Sequence, residues 1–141
     1  MATVQNELDF DFARSPADKI LFLKHVQSEL DEIREEVEET CAVVSEVEPV
    51  PEQAYNDTLS LMEQISHGIP MPDLMWLEDG GIGLEWRPGE GIATISLYGD
   101  GNVICGVFFS DKCEVDGICS LSDYALLQGF LTTLSLLFNK G

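Results

Sequence analysis

Basic residues are scarce in this chain. Its 141 residues include seven Lys and Arg against 26 Asp and Glu, which gives a formal net charge of −19 at pH 7. A surface this acidic repels nucleic acid and anionic membranes and attracts basic proteins. The apolar content of 45% is ordinary for a folded protein, so the charge does not indicate disorder. We therefore expect a folded protein with a basic protein partner, no direct contact with nucleic acid and no membrane contact.

The chain also lacks the segments that export a protein or anchor it in a membrane. Residues 1–12 contain no basic region followed by an apolar stretch, which a secretory signal requires. No apolar run approaches the roughly 18 residues that a membrane-spanning helix needs. We therefore expect the protein to be cytoplasmic.

Cysteine pairs with metal-binding or redox spacing are absent too. The four cysteines lie far apart and form no CxxC motif, at positions Cys41, Cys105, Cys113 and Cys119. Reduced and buried thiols are the favoured interpretation, because disulfides are rare in the cytoplasm. A bridge between Cys113 and Cys119 across a turn is the alternative.

No group of residues in the sequence has the composition of an active site or a metal site. The two histidines, His25 and His67, lack the HxxxH or ExxH spacing of helical metal ligands, and no calcium-loop pattern occurs. No serine lies in a GxSxG turn, and Cys105 has no histidine near it in sequence. The segment 99–101 fits a hairpin better than a phosphate-binding loop, because its aspartate would repel phosphate. We predict no catalytic residues, no metal, no cofactor and no enzymatic activity.

A long helix is the main feature of the N-terminal half. Ser15 can accept a backbone N–H at the first turn, and Pro16 suits the first helical position. Neither Gly nor Pro follows until Pro49. The pattern predicts a helix from Pro16 to Val47, about 48 Å long at about 1.5 Å per residue. Residues 1–14 precede it as a mobile or edge-pairing arm.

Seven carboxylates and one base, Arg34, occupy eleven residues of this helix. The predicted partner-binding residues are the acids Glu29, Asp31, Glu32, Glu35, Glu36, Glu38 and Glu39. Their net charge amounts to one per roughly 2–3 Å of helix, close to the one per about 1.7 Å of duplex DNA. The pattern favours mimicry of nucleic acid, and a helix face that merely keeps the protein soluble is the alternative.

Apolar residues repeat along the same helix with the 3-4 spacing of a coiled-coil seam. The predicted seam consists of Leu23, Val26, Leu30, Ile33 and Val37, and continues less regularly through Thr40, Val44 and Val47. Such a seam needs a partner helix, which is either the same helix of a second copy or the next helix of this chain. We favour the second copy, and thus a homodimer, because the next predicted helix is only half as long.

The C-terminal half predicts a sheet between two further helices. A second helix is expected at residues 51–67, with Gly68 placed to end it. Asp-Gly and Gly-Gly pairs between apolar runs then predict a series of hairpins. The expected strands are 74–77, 82–86, 92–98 and 103–109, with a possible fifth at 114–119. The almost wholly apolar fourth run predicts a strand covered on both faces. An apolar helix from residue 122 or 123 to 138 should close the chain.

These elements together predict an α+β fold: a long N-terminal helix plus a second helix, an antiparallel β-meander of four to five strands, and a C-terminal helix packed on the sheet. Residues 1–68 form an acidic helical arm with 16 acids and 4 bases, and residues 69–141 form the sheet and its helix. At this length the two parts should make one compact domain.

A motif at the first predicted hairpin resembles a known group of proteins. Pro72-Asp73-Leu74 is followed by Glu78-Asp79-Gly80-Gly81-Ile82-Gly83-Leu84-Glu85-Trp86 and later by Asp100-Gly101. This pattern, P…DGGIxLEW with a second DG turn, resembles a widespread group of small bacterial proteins over about residues 50–105. The group has no settled activity, so the resemblance implies the accessory genes of bacteria and their mobile elements. The motif itself is expected to be structural, with glycines for the turn and apolar residues for the buried face.

The sequence as a whole favours a binding protein over an enzyme. We expect a non-enzymatic acidic inhibitor, of anti-CRISPR, anti-defence or antitoxin type, that blocks a basic nucleic-acid-binding partner such as a CRISPR effector or a toxin. One alternative is an assembly factor whose long helix docks in a partner's groove. The other is an enzyme or small-ligand-binding protein that uses the sheet face.

Overall fold

The computed structural model describes residues 16–65, 69–109, 112–121 and 124–140. Within these residues the chain forms three helices and a five-stranded antiparallel sheet, which is the predicted α+β fold. The elements in order are α1 (Pro16–Val43), α2 (Glu52–Gln64), β1 (Asp73–Leu77), β2 (Gly81–Trp86), β3 (Gly91–Leu97), β4 (Asn102–Phe109), β5 (Lys112–Ser120) and α3 (Tyr124–Lys140). The arm expected at residues 1–14 lies outside the described residues.

Both N-terminal helices end earlier than the sequence predicts. Helix α1 ends at Val43, four residues before its expected end. Beyond it the chain turns toward the sheet, where the Glu48 N–H donates to the Glu78 carbonyl oxygen at 2.8 Å. Where a further helical turn was expected, residues 44–47 form a tighter turn in which the Val47 N–H donates to the Val44 carbonyl oxygen at 3.3 Å, and the bond from Glu48 then ties the chain to the first hairpin. Helix α2 ends at Gln64, three residues early, and the expected stop at Gly68 lies outside the described residues.

Helix α2 runs antiparallel to α1 and covers about half of its length. At the start of α2, Glu52 bonds Arg34 in the second half of α1. Farther along α2, Leu59 lies beside Leu23, near the start of α1. The two helices therefore pack as a hairpin, with α1 projecting beyond both ends of its shorter neighbour.

The predicted heptad seam of α1 is buried within its own chain. Val26, Leu30, Ile33 and Val37 belong to the core, and Leu23 packs half-buried against them. Helix α2 covers one side of this seam and strand β1 lies beside the other. This corrects the expectation that the seam pairs two copies of the chain. The short helix and the sheet together supply the partner surface that the spacing requires.

The strands follow one another in the order β1-β2-β3-β4-β5, each antiparallel to its neighbours. Every second residue of the central strands faces the helices and is buried: Ile82, Leu84, Trp86, Ala93, Ile95, Leu97, Val103, Cys105 and Val107. The strand bounds agree with the predicted ones within two residues, because each hairpin is specified locally. At the first turn Gly80 has φ of +98°, a conformation that residues with a Cβ rarely adopt. The DGGIxLEW segment therefore acts here as a turn and a buried strand.

All three helices pack on one face of the sheet. A single core joins them to β2, β3 and β4, and it includes Leu127, Phe130 and Leu134 of α3, so the C-terminal helix lies on the sheet as predicted. On the opposite face, Ile104 is 41% exposed and Phe108 is 39% exposed. The prediction that β4 is covered on both faces is therefore wrong.

The expected alternative of a Cys113–Cys119 bridge across a turn does not fit the backbone. Both residues lie on β5, with no turn between them. Six residues of strand separate their Cα atoms by about 20 Å, whereas a disulfide needs less than about 7 Å. Cys41 is a free thiol.

Candidate functional site: the acidic face of helix α1

The seven predicted partner-binding carboxylates lie together on the solvent side of α1. Six of them are exposed and Glu29 is half-buried. Residues three and four apart share one side of a helix. The acids therefore form two parallel rows, Glu29, Glu32, Glu36 and Glu39 in the first and Asp31, Glu35 and Glu38 in the second. We call this surface the acidic face. It lies opposite the buried seam, so no acid of the set points into the core.

The first row borders strand β1, and the sheet holds one of its acids in place. The indole Nε1–H of Trp76 donates to Glu36 Oε1 at 2.8 Å. Trp76 is half-buried and packs against the core with its other ring atoms. The middle of the first row is thereby fixed relative to the sheet.

The second row borders α2, where the only base of the acidic segment is already engaged. Both terminal nitrogens of Arg34 donate to the Glu52 carboxylate, at 2.6 and 3.1 Å. The guanidinium carbon lies 4.2 Å from the centroid of the Tyr55 ring. The hydrogen bond to Glu52 raises the pKa of Arg34, and the same bond lowers the pKa of Glu52. Arg34 therefore joins the two helices and does not neutralise the acids of its own helix.

Most of the acidic face has no compensating charge. The Asp31 carboxylate accepts a hydrogen bond from Gln27 at 3.0 Å, and His25 Nε2 lies 3.7 Å from the Glu29 carboxylate. In the part of the chain that the structure describes, four acids have neither a hydrogen-bond partner nor an ion-pair partner: Glu32, Glu35, Glu38 and Glu39. These four are the members of the set most available to another molecule.

The linear charge density of the acidic face approaches that of duplex DNA. Its seven carboxylates span ten residue steps, which is about 15 Å at about 1.5 Å per residue, or one charge per about 2 Å. Duplex DNA carries one charge per about 1.7 Å of its axis. Such a surface can bind rows of Lys and Arg side chains and displace the anions that they otherwise hold.

The described cavities bring together no set of reactive groups. One cleft of about 320 Å³ lies between the start of α1 and Leu59 of α2. Another, of about 310 Å³, lies at the end of α1 and contains both Arg34 and Cys41. Arg34 is held by Glu52, and the Cys41 thiol donates to the Val47 carbonyl oxygen at 3.6 Å. Within the described residues, no three or more His, Cys, Asp or Glu side chains are grouped to hold a metal ion.

The sequence predicts the acids but not the residues that position them. Trp76, Glu52 and Tyr55 lie on β1 and α2, and each reaches α1 only through tertiary packing. The available signal is weak: Arg34 is the single base among seven acids, which marks it as a residue with a specific partner. Nothing in the local spacing indicates that the partner is Glu52.

Comparison with known proteins assigns the chain to no family. No protein-family model matches it, and neither a curated protein nor a solved structure matches it. Among the described residues, no helix combines the length and the apolar character needed to span a bilayer. The acidic face is therefore the basis for assigning a function.

Proposed function

We propose that the protein is a non-enzymatic acidic inhibitor that binds a basic, nucleic-acid-binding protein through the acidic face. The observation that carries the proposal is a set of four carboxylates on the solvent side of one helix that have no partner among the described residues. The partner is of the kind that anti-CRISPR, anti-defence or antitoxin proteins block: a CRISPR effector or a toxin with a groove lined by Lys and Arg. We place this interaction in the cytoplasm, which the free thiol of Cys41 supports.

The fold supports the proposal because it holds the charges in place before a partner arrives. The buried seam fixes the rotation of α1 about its axis, since Leu30 and Val37 belong to the core. The bond from Trp76 to Glu36 and the pairing of Arg34 with Glu52 fix its two flanks. A surface that is ordered in advance loses less conformational entropy on binding.

The expected interaction depends strongly on salt. Complementary charge accelerates association at low ionic strength and contributes little once salt screens it. The screening length falls from about 10 Å at 0.1 M salt to about 4 Å at 0.5 M. A nucleic-acid mimic that competes for a basic groove should therefore inhibit well at the first concentration and poorly at the second.

The test compares two variants with the same change in charge. The acidic-face variant carries glutamine at the four partnerless acids: E32Q, E35Q, E38Q and E39Q. The matched control carries glutamine at four exposed acids elsewhere: E46Q, E63Q, E78Q and E90Q. Both variants exchange four carboxylates for amides of nearly the same size, so only the position of the lost charge differs.

The assay measures how far the protein displaces labelled nucleic acid from a panel of purified bacterial CRISPR effectors and toxins. We expect wild-type protein and the control to inhibit at least one member of the panel at 0.1 M NaCl. The acidic-face variant should inhibit the same member at least tenfold less strongly, and 0.5 M NaCl should weaken wild-type inhibition similarly. Inhibition that survives both the variant and the salt contradicts the proposal.

An assembly factor is the second candidate, favoured by exposed apolar residues near both ends of α1. Ile20 and Leu21 lie near its start, and Val43, which is 81% exposed, ends it. A partner groove could take these side chains, since the seam itself is occupied. Binding of this kind persists at 0.5 M NaCl and is lost in a Leu21→Ser, Val43→Ser variant, which separates it from inhibition through charge.

A further inference from the structure

None of the helices in the described residues lies on the second face of the sheet, and the outward residues of this face form an apolar surface. The alternation of the strands directs every second side chain away from the core. The large apolar residues at these positions are Met75, Leu77, Ile92, Ile104 and Phe108. We call these five residues, together with Thr94 and Ser96 between them, the outer face. In the register of β3 and β4, Phe108 lies directly opposite Ile92, and Ile104 lies opposite Ser96.

On the outer face, three of the large side chains lie over glycines. A Cβ on Gly106 would stand 2.9 Å from a ring carbon of Phe108. A Cβ on Gly83 would stand 3.1 Å from Met75 Cγ and 3.3 Å from a methyl group of Leu77. The apolar groups therefore lie along the sheet and cover its backbone.

The outer face carries little charge, although the chain has 26 acids. In the strand register, three acids occupy outward positions: Asp73 and Glu85, which lie opposite each other at one corner of the sheet, and Asp116 on the edge strand β5, opposite Gly106. Glu85 is paired with Arg87. A basic partner finds few charges to bind on this face. A second copy, by contrast, presents the same apolar surface and can bury it without bringing two charged surfaces together.

We infer that the outer face binds a second copy of this chain, face to face about a two-fold axis. Five strands about 4.8 Å apart and about 20 Å long cover on the order of 500 Å². Two copies would then bury about 1,000 Å², the size at which specific interfaces begin. The homodimer that the sequence places on the α1 seam is thus assigned to the sheet. Since the helices lie on the other side of the sheet, both acidic faces stay open to partners.

The test measures the mass of the full chain by light scattering at 200 µM protein in 0.5 M NaCl. Wild-type protein should have twice the chain mass of 15.6 kDa. Ile104→Glu and Phe108→Glu should each give the mass of one chain, because each introduces a charge into the interface. Leu136→Glu is the matched control: it makes the same kind of change at a 62% exposed position of α3 and should stay dimeric.

A third variant separates loss of the dimer from loss of the fold. Ser96→Glu adds a charge near the centre of the outer face and removes no apolar contact. All variants should keep the circular dichroism spectrum of wild type. A monomeric wild type overturns the inference, whether the face is then covered by another segment of the chain or by nothing. A dimer that all three outer-face variants leave intact, or that Leu136→Glu also disrupts, overturns it too.

The response to salt distinguishes this inference from the proposed inhibition. Two chains of charge −19 repel each other, so raising NaCl from 0.05 to 0.5 M should increase the dimer fraction at fixed protein concentration. The same change should weaken binding to a basic partner. A dimer fraction that falls as salt rises overturns the apolar interface. Ile104→Glu should leave nucleic-acid displacement unchanged, so either proposal can fail while the other holds.

Discussion

Trp76 on β1 donates its indole N–H to Glu36 on α1, across 40 residues of sequence, at 2.8 Å. This hydrogen bond joins the sheet to the middle of the acidic face. It also gives one acid of the first row a neutral partner, which leaves the charge of that row undiminished. The same contact thus positions the acidic face and preserves its potential.

Removing this donor should cost a modest amount of stability. We expect Trp76→Phe to lower the free energy of unfolding by about 1 kcal/mol, because a hydrogen bond to a charged acceptor is lost while most of the ring packing stays. Urea titration measures the change. Glu36→Gln is the control, since its amide oxygen still accepts the bond and should cost less. If Trp76→Phe is equally costly in the Glu36→Ala background, the indole acts through packing instead.

The pair of Arg34 and Glu52 should make part of the stability depend on pH. The hydrogen bond from Arg34 lowers the pKa of Glu52 below the ordinary value of 4.5. The unfolded chain then binds the proton more readily than the folded one, so this contribution is present above pH 4.5 and is lost as the pH falls through the lowered folded value. Glu52→Gln should therefore lower the melting temperature at pH 7, with the difference from wild type closing in acid.

Glu63 provides the control for this pH dependence, because it is an exposed glutamate on the same helix. The pair is exposed to solvent, so the effect of Glu52→Gln at pH 7 should be small, about 1–2 °C. Glu63→Gln removes one exposed carboxylate of the same helix without touching the pair, and its melting temperature is measured over the same range, from pH 7 to pH 3. Equal pH profiles for the two variants would show that Arg34 does not stabilise the charged form of Glu52.

The internal seam makes a prediction about stability and mass together. Leu30 is buried, so Leu30→Ala should lower the free energy of unfolding by about 3 kcal/mol through lost contacts and the cavity left behind. Val43→Ala at the exposed end of α1 should change it by less than about 0.5 kcal/mol. Because the seam packs within one chain, the folded Leu30→Ala variant should have the same mass as wild type by light scattering. A variant with half the mass would place the seam between two copies.

The sequence predicts the hairpins because their signals are local. The Asp-Gly pairs at residues 79–80 and 100–101 act within a few residues, and the strands beside them follow the predicted bounds closely. The partner of the α1 seam, by contrast, has no local signal. The 3-4 spacing up to Val37 is compatible with a covering surface from a second copy and with one from α2 and β1. The choice depends on tertiary packing, which periodicity does not contain.

The outward face of β4 shows a second property that the apolar pattern of a sequence does not predict, namely whether both faces of a strand are covered. The run from Val103 to Phe109 is apolar at nearly every position, a composition typical of a strand buried on both sides. In the structure Val103, Cys105 and Val107 face the core, whereas Ile104 and Phe108 face outward. An apolar residue on a strand therefore indicates an apolar contact without saying whether the contact lies inside the chain. The positions of the acids on α1 were predictable, since helix geometry alone places them opposite the seam.

Asp57 on α2 gives a prediction about a buried charge. It is 7% exposed; its Oδ1 accepts a hydrogen bond from Gln53 at 2.8 Å, and its Oδ2 has no partner among the described residues. Asp57→Asn keeps the accepting oxygen and removes the charge. We expect a gain of about 1 kcal/mol, or about 4 °C in melting temperature. Asp73→Asn, at an exposed position, should change it by less than about 1 °C. A loss of stability in Asp57→Asn would show that the fold needs the negative charge.

The acidic face itself should lower the stability of the folded chain. Along both rows, carboxylates stand three or four residues apart, a spacing at which each like-charge pair costs about 0.2–0.5 kcal/mol. The variant with glutamine at positions 32, 35, 38 and 39 should therefore be about 1 kcal/mol more stable than wild type at 0.05 M NaCl. Because salt screens the repulsion, wild type should gain melting temperature between 0.05 and 1 M NaCl, and the variant should gain less.

The matched control with glutamine at positions 46, 63, 78 and 90 should keep the steep salt dependence of wild type, because those acids are scattered over the surface. Thermal unfolding by calorimetry at four salt concentrations measures all three proteins. If the acidic-face variant and the control have the same slope, the rows do not repel one another enough to matter. A steep slope confined to wild type and the control would show that the rows weaken the free protein. Repulsion of that kind is relieved when a basic partner binds, so the same charges that lower stability would add to affinity.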